Sequence, residues 1–114
     1  MHFKLIITFS ESANTEKIQT AARNAGATGS TIISNARGEG LTHVKTFFGL
    51  SVERPIDVSM YLVEEHLSRA ILEAIDKTGE FDKNEGIAFQ LDIEDAVGIG
   101  KQIESLNETV EEKL

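Results

Sequence analysis

From Lys4 to Phe9 (KLIITF) the chain is apolar almost without interruption and rich in β-branched and aromatic residues, as expected of a central or covered strand. Ser10–Thr15 then supplies helix-starting residues, with Ser12 or Asn14 expected as the N-cap. Ile18, Ala21, Ala22 and Ala25 recur at helical spacing on one face, and Gly26 stands where a left-handed C-terminal residue is wanted. Residues 28–34 (TGSTIIS) read as a second strand. After a long interruption, residues 56–63 (IDVSMYLV) alternate Val58, Met60 and Leu62 with Asp57, Ser59 and Tyr61, which predicts a strand with one buried face. Glu64 and Glu65 open the next helix, where negative charge suits the dipole, and its stripe of Leu67, Ile71, Ala74 and Ile75 runs to Gly79. A polar loop (EFDKNEG) precedes a fourth strand at residues 87–91 (IAFQL). Ala96–Ile99 is expected as a short edge strand, and residues 101–114 as an acidic tail or helix.

The order β-α-β, long loop, β-α-β predicts an α+β, ferredoxin-like fold: an antiparallel four-stranded sheet backed by two helices, occupying residues 1–100. One face of such a sheet is left open. Tyr61, Phe89 and the apolar members of the first strand are expected to be covered there by other subunits.

The interruption itself, residues 35–55 (NARGEGLTHVKTFFGLSVERP), is the least ordinary stretch. Loops of this length are usually functional. Gly38 and Gly40 permit backbone closed to other residues, and Leu41–Leu50 carries only basic charge. Phe47, Phe48 and Leu50 are apolar residues that a solvated loop has little reason to keep, so the segment reads as a mobile contact surface with Lys45 beside its anchors.

Composition narrows the chemistry. With 114 residues and 40% hydrophobic content the chain makes one domain, and without cysteine it has no disulfide, thiolate metal site or thiol nucleophile. A cytosolic setting is the default expectation; the apolar start is too short for a membrane span and has no secretory pattern. A net charge of −8 argues against nucleic acid as a partner, although a local basic loop on an acidic body can still meet an anionic ligand. His2, His43 and His66 have no shared spacing, and neither EFDKNEG nor DIED follows a calcium-loop pattern, so neither a metal nor a catalytic residue is assigned. No G-x-S-x-G elbow is present, and an acylphosphatase-like use of Arg37 with Asn84 has no motif behind it. Two glycine-containing turns at strand ends, Arg37–Gly40 and Asn84–Gly86, are the better lead, because exposed backbone N–H groups there can hold an anion.

The run Gly26–Ser34 (GATGSTIIS) resembles the G-x-T-G-x-T-V-x pattern that leads into the T-loop of P-II signal transduction proteins. Val63–Glu65 before its helix, Thr78–Phe81, Gly86–Asp92 (GIAFQLD) and Ala96–Ile99 follow in the family's order, over about the first 100 residues. The resemblance implies a trimer that binds an adenine nucleotide (ADP, AMP, cyclic AMP or ATP) between subunits, with residues 35–55 as the T-loop. Carried over, Gly29 and Thr31 border the adenine, the backbone at Arg37 and Gly38 closes the cleft, and Glu85 and Gly86 line its phosphate side. It further implies a cytoplasmic regulator, recruited to a membrane only through a partner, with a transporter or channel as the first partner to test. Departures are equally specific: Ile87 stands for a phosphate-binding lysine, Gly98 and Gly100 for two arginines, and ARGEG for GFGRQ. These disfavour tight triphosphate binding. An ACT-like amino-acid sensor and, further off, a small phosphohydrolase are the rival readings on the same fold.

Overall fold

The structure, a computed structural model, describes residues 1–36, 46–47, 50–51, 55–83, 86–100 and 103–104, with side chains at all of these but 46–47 and 50–51. The elements are β1 (Phe3–Glu11), α1 (Ser12–Ala25), β2 (Thr31–Ala36), β3 (Thr46–Phe47), β4 (Leu50–Ser51), β5 (Ile56–Glu64), α2 (Glu65–Gly79) and β6 (Gly86–Asp92). Four strands form one antiparallel sheet in the order β2-β5-β1-β6, and both helices lie on one side of it. This is the expected ferredoxin-like arrangement. β3 and β4 form a two-rung hairpin of their own inside the long loop, pairing Thr46 with Ser51 and Phe47 with Leu50.

The helices bury Ile18, Ala22, Leu67, Ile71 and Ile75 against Ile6, Tyr61 and Val63 of the central strands. Small residues set their separation: a Cβ at Gly26 would stand 3.0 Å from a Leu67 methyl carbon. Gly26 also has φ +127° and donates its N–H toward the Ala22 and Arg23 carbonyls, so it closes α1 as the sequence implies. At the other end the expectation fails. Neither Ser12 nor Asn14 is the N-cap; Glu11 occupies that position without a side-chain cap, and the Ser12 hydroxyl instead donates to Asp57, 2.8 Å away. α2 is capped as its acids suggest, the Glu64 carboxylate accepting the His66 N–H at 2.7 Å. Gly79 is its last residue rather than its cap; Glu80, at φ 50°, takes the left-handed position.

The alternation in β5 is real, but the face that the helices cover is the opposite of the one its apolar residues predict. Asp57, Ser59, Tyr61 and Val63 lie under the helices, while Val58, Met60 and Leu62 lie on the helix-free side. Register aligns them there with Leu5, Ile7 and Phe9 on β1, with Ile87, Phe89 and Leu91 on β6, and with Ile33 on β2. Tyr61 is therefore no part of the open face, whereas Phe89 is. Ten apolar side chains cover four adjacent strands with no helix of the described residues packed over them, and Ile33 and Leu91 are about half exposed. The second strand starts later than expected because Ala27 N–H bonds back to the Ala22 carbonyl, leaving residues 28–30 to turn. No strand forms at Ala96–Ile99; helical backbone begins at Gly100 and recurs at Ile103 and Glu104.

Candidate functional site

The α1–β2 turn brings Gly29 and Ser30 to the surface at one edge of the sheet. Gln19 of α1 donates its side-chain amide to the Ser30 hydroxyl at 2.7 Å, tying the turn to the helix. Thr31 starts β2 and pairs with Met60, which places it on the open face. Beneath the turn is a recess of about 110 Å³ lined by Gln19, Arg23, Ala27, Thr28, Gly29, Ser30 and Tyr61.

Gly86 stands at the opposite edge, as the first residue of β6, paired with Ser10. Its lack of a side chain answers a crowding requirement: a Cβ there would meet the Phe81 ring at 2.6 Å and the Phe9 carbonyl oxygen at 3.0 Å. The same ring fills the space above Gly79, so the loop before β6 is held down by one aromatic against two glycines. Beside it, a groove of about 180 Å³ runs between α2 and β6, lined by Arg69, Leu72, Glu73, Asp76, Phe81 and Ala88.

Gly29 and Thr31 are thus adjacent, but Gly86 is three strand spacings away, or about 14 Å across the sheet. One chain does not gather them around a single small ligand. Arg37, Gly38 and Glu85 lie outside the described residues, as do Lys45 and Phe48. Phe47 and Leu50 are paired with each other in the β3–β4 hairpin.

Two groups carry no signal that sequence reasoning picks out. Asp57 is buried with no ion-pair partner among the described residues; its carboxyl accepts from Ser12 at 2.8 Å and from Thr15 at 2.6 Å, while Ser12 N–H donates to the Pro55 carbonyl. These bonds tie the end of the long loop to the start of α1. The second is the β5–α2 junction, where the His66 ring nitrogen Nδ1 lies 2.6 Å from the buried Glu64 carboxylate. That hydrogen bond and the Glu64 charge raise the His66 pKa above the ordinary histidine range. His66 is exposed, and although it shares no spacing with the other histidines its ring is tied to an acid two residues before it. Glu64, Glu65 and His66 place one ligand atom each within 4.8 Å of one another; Glu64 already spends both oxygens on His66. At the N-terminal edge Lys4, and secondarily His2, hold the Asp92 carboxyl below its usual range.

The sequence model of the Nitrogen regulatory protein P-II family matches residues 3–102. This chain belongs to the P-II family. Solved structures of similar fold include the P-II-like protein CPII from Thiomonas intermedia K12 bound to ADP, AMP and acetate, at 24% identity and a TM-score of 0.68 over 81% of this chain and 86% of that one. The same protein bound to ADP, AMP and bicarbonate matches at 24% identity and a TM-score of 0.65 over 82% and 87%. A putative PII-like signalling protein from Thermus thermophilus matches at 24% identity and 0.60 over 82% and 88%. No curated protein matches the chain. Among the described residues of this P-II protein, no helix is long and apolar enough to cross a membrane.

Proposed function

We propose that this protein is a homotrimeric P-II-like sensor that binds an adenine nucleotide in clefts between its copies and signals through the loop at residues 35–55. The observation that carries the reading is the split of its candidate residues. Gly29 and Thr31 stand at one edge of a sheet and Gly86 at the other, and the face between them is apolar and, among the described residues, free of helices. Copies that cover that face bring the β2 edge of one beside the β6 edge of the next, which reunites the two halves around one ligand. Family membership and the ADP and AMP bound to CPII support an adenine nucleotide.

With Ile87, Gly98 and Gly100 at the positions of three family cations, diphosphate and monophosphate, or the cyclic nucleotide, are favoured over Mg-ATP. Arg37, Gly38 and Glu85 complete the cleft. The protein is a regulator and no enzyme; it resides in the cytoplasm and reaches a membrane by docking on a transporter or channel. Lys45, Phe47, Phe48 and Leu50 carry that contact, apolar anchors with one adjacent charge. Ligand shifts the loop by binding its alternative arrangements with different affinity. Isothermal calorimetry with ADP, AMP, cyclic AMP and ATP tests the proposal: saturable binding of ADP or AMP, tighter than ATP, is expected, and silence with all four removes it.

A further inference from the structure

We propose that the recess beneath the α1–β2 turn is a second effector site, on the helix-covered side of the sheet, and that it takes a small planar monoanion of the carboxylate class. Its polar lining offers donors and no acid: the Arg23 guanidinium, the Gln19 amide and the hydroxyls of Ser30 and Tyr61. Arg23 has no ion-pair partner among the described residues, in a chain whose net charge is −8. Tyr61 is 1% exposed, and its hydroxyl has no partner within 3.5 Å; the hydroxyl of Ser59 on the same strand face, likewise without a partner at that distance, acts on it only at longer range. A buried hydroxyl left in this state costs about 1–3 kcal/mol, which phenylalanine at the same position would avoid.

Burial pushes the Tyr61 phenol above its ordinary range, against smaller opposing effects of Ser59 and Arg23, so the group keeps its proton and can donate. The volume, about 110 Å³, is that of a few waters and is too small to enclose a nucleotide. A single guanidinium fork grips a planar carboxylate bidentately and balances its one charge, whereas a tetrahedral dianion, which the fork can also grip, keeps a second charge with no cation to meet it. Because Gly29 and Ser30 form the outer wall, an anion seated here stiffens from below the turn that borders the nucleotide cleft. The site shares Gly29 with the proposed nucleotide cleft, but its charged and hydroxyl groups are its own, and it does not depend on the nucleotide reading.

Tyr61 is the only tyrosine in a chain without tryptophan, so tyrosine emission reports on this one ring at the floor of the recess. The full chain, free of nucleotide and at constant ionic strength, is titrated with sodium formate and in parallel with sodium sulfate. A saturable change in emission with formate is expected, with half-saturation raised about tenfold or more in Arg23→Gln, a surface change that leaves circular dichroism unaltered. In Tyr61→Phe, which has no tyrosine emission, the amide NMR shifts of Gly29 and Ser30 should saturate at several-fold higher formate than in the unaltered chain. A response that never saturates, equal half-saturation in Arg23→Gln, or saturation by sulfate in place of formate overturns the proposal. Any of these leaves ADP binding by calorimetry as it was.

Discussion

The Glu64–His66 pair gives a single residue a measurable pH signature. Glu64 is 2% exposed, and its carboxylate oxygens accept from the His66 N–H and face its ring, so protonating the ring adds a charge-assisted bond to a buried acceptor. The folded-state pKa of His66 is raised above 6.5, its unfolded value. The stabilisation is therefore fully present below about pH 6.5 and is lost as pH rises through the raised folded value. Thermal melts of the chain and of His66→Ala across that interval should differ most on the acid side and converge on the alkaline side. A gap independent of pH would mean that the ring contributes by contact alone.

At the scale of elements, the contact between the end of the long loop and α1 is the one to break. Asp57 is the shared acceptor for Ser12 and Thr15, and Thr15 is itself buried. Asp57→Ala takes the short acceptor from two hydroxyls and leaves Thr15 only the longer contacts with the Glu11 carbonyl at 3.5 Å and the Ser10 hydroxyl at 3.4 Å, so a loss of about 2 kcal/mol is expected in chemical denaturation. Asp57→Asn, which keeps one acceptor oxygen, should recover part of it. Amide exchange in the first turn of α1 should accelerate in the alanine variant; unchanged exchange would show that the helix start is held by something else. This contact also marks the limit of what the chain's pattern discloses. The local context of Ser12 favours a cap on α1, but its hydroxyl is claimed by a carboxyl 45 residues away. The helices, their apolar stripes and Gly26 are legible because each depends on neighbours three or four positions off. The faces of β5 are not. A period of two says that the two sides differ, and it is silent on which side the chain's own helices cover. Here the polar set of Ser59, Asp57 and Tyr61 lies under the helices and the apolar set faces outward, against the usual inference. Of the candidate site, the likeness of Gly26–Ser34 singles out the α1–β2 turn, while the recess behind it depends on Tyr61 arriving from a distant strand and leaves no mark in the sequence.

For the whole molecule, the outward apolar face and the divided candidate residues make one coupled prediction. Ile7 sits at the middle of that face, paired with Met60 on one side and Phe89 on the other. In a separate chain a glutamate at this position points to solvent and is tolerated; between copies it is a buried carboxylate without a partner, which costs several kcal/mol at every copy. Light scattering should accordingly find the unaltered protein at three times the one-chain mass and Ile7→Glu at one, with the helical circular dichroism of both intact. Nucleotide binding should fall with assembly, because Gly29 and Thr31 of a lone chain stand about 14 Å from the Gly86 strand. The two readouts separate the claims. A variant that dissociates and still binds ADP with full affinity places the ligand within one chain and rejects the cleft. A variant that remains three copies despite the charge shows that the apolar face is not what joins them.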